Sequence, residues 1–189
     1  YRHPHKGAGI FEHFKAINEA TDLPVAIYDG GAGVELGLDL LEKISRELPR
    51  IKYCKIFLEK PEKIAQIEER CQGRIVPWAG HDRLTYLMLC YGAYGMTSAA
   101  SCIIPRENSD MFDLVKAGKL DEARKIYLSK VCPLNAMAFF SVLDFIAAYK
   151  LALYWMGIIQ TPTVRKPLVQ LDSVMQRALR GALKFIGKL

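Results

Sequence analysis

The sequence predicts an α/β protein: the second half of a (β/α)8 barrel, about four βα units long, continued by a helical extension. Three observations carry this expectation. Short apolar runs of strand type alternate four times with amphipathic runs of helical period; each strand run gives way to a loop at its carboxyl end; and beyond about residue 118 the pattern is wholly helical. Four strands do not close a barrel of eight. Since the chain opens on Tyr1 and not on an initiator Met, a barrel whose first half lies outside the sequence is expected in preference to a small open sheet. Residues 1–118 form the barrel part and 119–189 the extension, which packs directly on it because no Gly/Ser-rich linker intervenes.

The elements follow in order. Ile10, Phe11, Phe14, Ala16 and Ile17 recur at helical spacing between Gly9 and Ala20. Thr21-Asp22 ends that helix, and Leu23 to Tyr28 is an apolar strand closing on the glycine-rich Asp29-Gly30-Gly31-Ala32-Gly33. A helix over about Leu38–Leu48 leads to a second strand, Ile51 to Phe57. Pro61 starts a third helix with Ile64, Ile67 and Cys71 on one face, and Gly73 to Ala79 is the third strand, ending on Gly80-His81-Asp82. Leu84–Tyr91 is helical, Gly95–Ala100 is a strand of small residues, and a helix follows near Ser109–Ala117. Leu120–Lys130, about Leu134–Met156 with a break near Ser141, and Leu171–Ile186 complete the helices.

Composition excludes several classes. The chain has 189 residues, 51% of them hydrophobic, enough for a sizeable core. Its formal charge of +6 is spread along the chain without aromatic interleaving, which disfavours nucleic acid. No apolar leader opens the sequence, and the longest apolar stretch, Leu134–Gly157, is broken by Asp144 and Lys150, so no membrane anchor is expected. Five scattered cysteines without CxxC spacing read as reduced core thiols of a cytoplasmic protein. His3 and His5 form an HxH pair without a third ligand at usable spacing, so no metal is expected. No nucleotide fingerprint is present, and no cofactor is implied. Aromatic residues between Met137 and Trp155 read as core or subunit contact, with a homo-oligomer (dimer or tetramer) expected of the whole protein.

Chemistry enters through one cation in the second strand. Lys55 lies between Cys54 and Ile56 in a run that reads as buried on both faces, whereas Lys52 at its edge reaches solvent. Such a lysine is either a paired core charge or a nucleophile, because burial lowers an amine from its free pKa of about 10.4 and frees its lone pair. At the next strand end, His81 is a candidate to contact substrate, and Asp82 reads as a helix N-cap.

Taken together, Tyr1-Arg2-His3-Pro4, Glu12 to Ile17 leading into Thr21-Asp22-Leu23-Pro24, and Ile27-Tyr28-Asp29 resemble the dihydrodipicolinate synthase and N-acetylneuraminate lyase superfamily of pyruvate-dependent class I aldolases. So do Lys55 itself, Ala79 to Asp82, Tyr94 to Ser98, and Gly118 to Arg124. The resemblance spans essentially the whole chain and places it from the end of the family's fourth barrel strand onward. It implies that Lys55 is the Schiff-base nucleophile, Tyr28 the acid/base, and Tyr1 the tyrosine extending the proton relay. Gly80, His81 and Thr97 are implied to contact the substrate. The implied activity is a Schiff-base lyase acting on pyruvate or a 2-keto-3-deoxy sugar acid. The alternatives are a sugar-acid dehydratase using the same imine and a catalytically idle 2-oxo-acid-binding relative. Two positions and one missing segment depart from the family pattern. Gly33 stands where the synthases carry a carboxylate-binding arginine, Ile56 follows the lysine where a polar residue is frequent, and the family's threonine-rich carboxylate loop is not in this chain.

Overall fold

Alternation of helix and strand is borne out by the computed structural model, which describes residues 7–30, 34–138 and 144–189. Tyr1, His3, His5, Gly33 and Ser141 lie outside the described residues. The chain divides into two compact units, Tyr1–Thr97 and Ser98–Leu189. The helix following the fourth strand therefore falls within the second unit, whereas the sequence division placed it with the barrel part.

In the first unit, helix α1 (Gly7–Ala20) precedes strand β1 (Val25–Asp29), α2 (Leu38–Glu47), β2 (Ile51–Ile56), α3 (Lys63–Cys71), β3 (Val76–Ala79), α4 (Thr85–Cys90) and β4 (Gly95–Met96). The strands lie in chain order β1-β2-β3-β4 and all three pairings are parallel. Each is reached through a helix, as parallel pairing requires. β4 is shorter than its run of small residues suggested. Ala99–Cys102 coils into a 3-10 turn, and the ladder ends where the Thr97 N–H donates to the Ala79 carbonyl at 2.8 Å.

Beyond a register shift between Val25 and Ala26, the strands alternate between two faces, because side chains on a strand have period two. Ile27, Asp29, Cys54, Ile56, Pro77 and Ala79 are buried on the back face. Leu41 and Ile44 of α2 and Ile64, Ile67 and Cys71 of α3 are fully buried as well, and both helices pack on this sheet. Ala26, Tyr28, Tyr53, Lys55, Val76 and Trp78 point the other way and are half-buried or exposed. From Tyr53 to Ile56 the β2 strand is buried on its back face and half-buried on its front, where full burial on both faces was expected from its apolar composition. That run is apolar because Tyr53 and Trp78 stack on the front face, with ring centroids 4.6 Å apart.

In the second unit, Pro105 occupies the first turn of α5 (Pro105–Lys116), where its missing N–H costs nothing. Then come α6 (Leu120–Ile126), a π-helical turn (Tyr127–Val131), α7 (Cys132–Ala138), α8 (Asp144–Trp155) and α9 (Ser173–Phe185). The π turn joins α6 to α7 without a gap where two separate helices were expected. Pro133 has no N–H to return to the carbonyl four residues back, and the ladder widens just before it. α9 starts on Asp172, whose carboxylate accepts the Val174 and Met175 N–H groups at 2.8 Å each. Met111, Leu134, Ala148, Leu179 and Leu183 form this unit's core. Of the cysteines, only Cys54 and Cys71 are buried; Cys90 and Cys102 are exposed, because their helical positions turn away from the core. No described helix is long and apolar enough to cross a membrane.

Candidate functional site

Parallel register puts Tyr28, Lys55, Trp78 and Gly95 in one row across the sheet. Residues in register share a face, so Tyr28 and Lys55 stand side by side on the front, near the carboxyl ends of adjacent strands. The Lys55 Nζ lies 4.5 Å from the centroid of the Tyr28 ring, within cation–π range. Two residues beyond Trp78, Gly80 makes room for the lysine. A Cβ there would stand 2.6 Å from Lys55 Cγ and 2.7 Å from the Ile56 carbonyl oxygen, so the stem of Lys55 lies where any other residue would place its side chain.

Rings continue the wall. Phe57 meets Tyr28 edge-on, with centroids 6.1 Å apart, and stacks on His81 at 4.9 Å. His81 is buried, with Glu59 4.0 Å from its Nε2, and burial lowers its pKa from the ordinary value, favouring the neutral ring. Thr97 directly follows β4, its N–H held by the Ala79 carbonyl. Its buried Oγ1 has no hydrogen-bond partner among the described residues. Of the six residues singled out in the sequence, the structure brings Tyr28, Lys55 and Gly80 together at the carboxyl end of the sheet, Phe57 links His81 to Tyr28, and Thr97 directly follows β4; Tyr1 lies outside the described residues.

Electrostatics favour a reactive amine beside a protonated phenol. Partial burial lowers the Lys55 pKa, opposed by the charge of Asp82. Partial burial raises the Tyr28 pKa, and Asp82 adds to that rise. Asp82 is 3% exposed and is the first residue of a 3-10 turn whose N-cap is His81, a position with no side-chain capping bond. The N-cap role expected for Asp82 is therefore corrected: the turn begins one residue earlier than the sequence suggested, and its charge acts on both reactive groups.

Behind the row sits a pair that sequence reasoning missed. Lys63 Nζ lies 2.6 Å from Asp29 Oδ2, with both side chains buried. Lys63 also donates to the Leu36 carbonyl at 2.7 Å, and Asp29 Oδ1 accepts the Leu36 N–H at 2.7 Å. Burial pushes the Asp29 carboxyl up, against the lowering effects of Lys63 and of the Leu36 N–H. The available signal was Lys63 itself, one residue before Ile64 and four before Ile67, hence at the edge of the apolar face of α3. Among the described residues no cluster of three metal-ligating side chains occurs.

Known proteins share this sequence and fold. The model of the dihydrodipicolinate synthetase family matches residues 1–186. A 4-hydroxy-tetrahydrodipicolinate synthase of Halalkalibacterium halodurans is 34% identical over 177 residues, covering 93% of this chain and 58% of the relative. The solved 4-hydroxy-tetrahydrodipicolinate synthase of Methylacidiphilum fumariolicum SolV is 28% identical, with a TM-score of 0.90 over 98% of this chain and 61% of its own. A chloride-inhibited dihydrodipicolinate synthase of Acinetobacter baumannii, solved in complex with pyruvate, is 26% identical with a TM-score of 0.89 over 100% of this chain and 64% of its own. The chain thus spans less than two thirds of each of these relatives.

Proposed function

This chain belongs to the dihydrodipicolinate synthetase family, and on that premise we propose that it is the lysine-bearing part of a Schiff-base-forming lyase acting on pyruvate or a 2-keto-3-deoxy sugar acid. The observation that carries the proposal is the Tyr28–Lys55 register pair, an amine lowered by partial burial beside a phenol raised by it. The Acinetobacter relative, solved with pyruvate, supports the choice of a 2-oxo acid. The four strands are proposed as four of the eight of a barrel. Their half-exposed front face is its interior, and the site lies at the carboxyl end where sites of this architecture gather.

The neutral Lys55 amine adds to the C2 carbonyl of the 2-oxo acid. The Tyr28 phenol, kept protonated by its raised pKa, gives a proton to the departing carbinolamine hydroxyl, and water leaves to form the protonated imine. The imine withdraws electrons from C3. The Tyr28 phenolate takes a C3 proton to give the enamine, whose C3 attacks an aldehyde while the Tyr28 phenol returns the proton to the aldehyde oxygen; in the reverse direction Tyr28 takes the hydroxyl proton and the C3–C4 bond breaks. Hydrolysis of the product imine returns the free amine. Thr97 Oγ1 is proposed to serve the substrate oxygens, and Gly80 lets Lys55 lie flat against the strand end. His81 closes the wall through Phe57. Tyr1 is kept in the relay on the family resemblance alone.

Residues 30–35 carry no arginine, so the second substrate is not gripped there by a guanidinium fork; a polyhydroxy chain suits that loop better. A homo-oligomer located in the cytoplasm is part of the proposal for the whole protein. The test is solvent exchange at the methyl group of pyruvate in D2O, which reports the enamine. Wild-type protein should catalyse the exchange and Lys55→Ala should abolish it. Exchange absent from the wild type would leave the idle 2-oxo-acid-binding relative as the better reading.

A further inference from the structure

Tyr28 is 49% exposed, and among the described residues its ring meets the Lys55 amine and the edge of Phe57. Such contacts are individually weak, so the aim of the phenol follows from the backbone that carries it. The next residue, Asp29, turns to the back of the sheet and is fixed there by a cation from a different element. The Lys63 ammonium lies 2.6 Å from Asp29 Oδ2 as an ion pair and donates to the Leu36 carbonyl at 2.7 Å and to Glu35 Oε1 at 3.3 Å. Glu35 is held in turn by Lys60 at 2.7 Å. The Asp29 carbonyl accepts the Phe57 N–H at 2.9 Å, and the Gly30 N–H donates to Val34 at 3.0 Å. Gly30 has φ +90°, and a Cβ on it would stand 2.5 Å from both the Phe57 carbonyl and the Leu58 side chain. The segments leaving β1 and β2, the strands that carry Tyr28 and Lys55, are therefore pressed together at backbone contact, and Lys60 and Lys63 tie the first of them to the chain beyond β2.

We propose that Lys63 is a positioning residue: by clasping Asp29, Glu35 and Leu36 it sets the backbone at the end of β1 and so holds the Tyr28 phenol against Lys55. A buried ion pair adds little net stability over a neutral pair of similar size. Its consequence here lies in where it acts, directly behind the acid/base. This inference rests on the proposed roles of Tyr28 and Lys55, and its test is chosen to separate the two.

The double variant Asp29→Asn/Lys63→Met removes both charges together and keeps a side-chain oxygen for the Leu36 N–H. Asp29→Asn alone is the milder companion, leaving Lys63 with Glu35 and Leu36. In the full 189-residue chain, the nuclear Overhauser effect between the Tyr28 ring and the Lys55 side-chain methylenes is measured alongside pyruvate exchange kinetics. Folded variants, shown by unchanged circular dichroism, should lose that effect. Their kcat for exchange should fall about tenfold with KM within about twofold, the pattern of a displaced acid/base and not of lost binding. Retention of the Tyr28–Lys55 effect in the folded variants overturns the proposal. Failure of the wild type to exchange pyruvate protons counts against the lyase reading alone, since the ring-to-methylene effect decides the positioning role without turnover.

Discussion

Gly80 shows how little room the Lys55 side chain has. A methyl group at that position would stand 2.6 Å from Lys55 Cγ and 2.8 Å from its Cε, so Gly80→Ala must push the amine off its line. The expected outcome is a loss of at least about tenfold in pyruvate exchange with the far-ultraviolet circular dichroism unchanged, since a misplaced reacting group is costly in rate and not in fold. Asp82 provides a second handle. Its charge raises both the Lys55 and the Tyr28 pKa, and the proposed reaction needs Lys55 neutral and Tyr28 protonated. The acid limb of the rate profile then reports Lys55 and the alkaline limb Tyr28. Asp82→Asn removes a factor that raises both, so both limbs should move to lower pH in steady-state profiles; a fixed acid limb would show that Asp82 does not act on the amine. Lys55 was conspicuous in the sequence as a cation inside an apolar strand, and Tyr28 entered through the family resemblance. The Asp29–Lys63 pair was not legible, since its partners are 34 positions apart and meet only when β1 and α3 are assembled.

Among the elements, those with a strong period were legible and those decided by local hydrogen bonds were not. α1, α2 and α9 fall close to their expected spans because their apolar residues recur at helical spacing. The π turn before Pro133 and the two-residue β4 escaped, because each depends on how a ladder ends and not on which side chains it carries. The cap of α9 gives an element-scale check. Asp172 accepts two N–H groups of the first turn, so Asp172→Ala should destabilise by about 1 kcal/mol, read as a lower denaturant midpoint with unchanged slope.

For the whole molecule, the alternating α/β grammar was legible, but the exposure of the sheet's front face was not, since an apolar strand reads alike whether one face or two are covered. Tyr28, Tyr53 and Trp78 lie on that face at half-buried or exposed positions, and β1 and β4 end the sheet with free edges among the described residues. The chain in isolation should therefore bind the hydrophobic dye ANS, and Trp78→Lys should reduce that binding; no change would show that the dye sits elsewhere. The proposed chemistry turns on one covalent bond, an imine between pyruvate and the Lys55 amine. The direct measurement is borohydride reduction in the presence of pyruvate, followed by mass spectrometry of the digested protein. One reduced pyruvate unit is expected on the peptide bearing Lys55 and none on Lys55→Ala; an adduct that survives Lys55→Ala, or none on the wild type, rules out the imine.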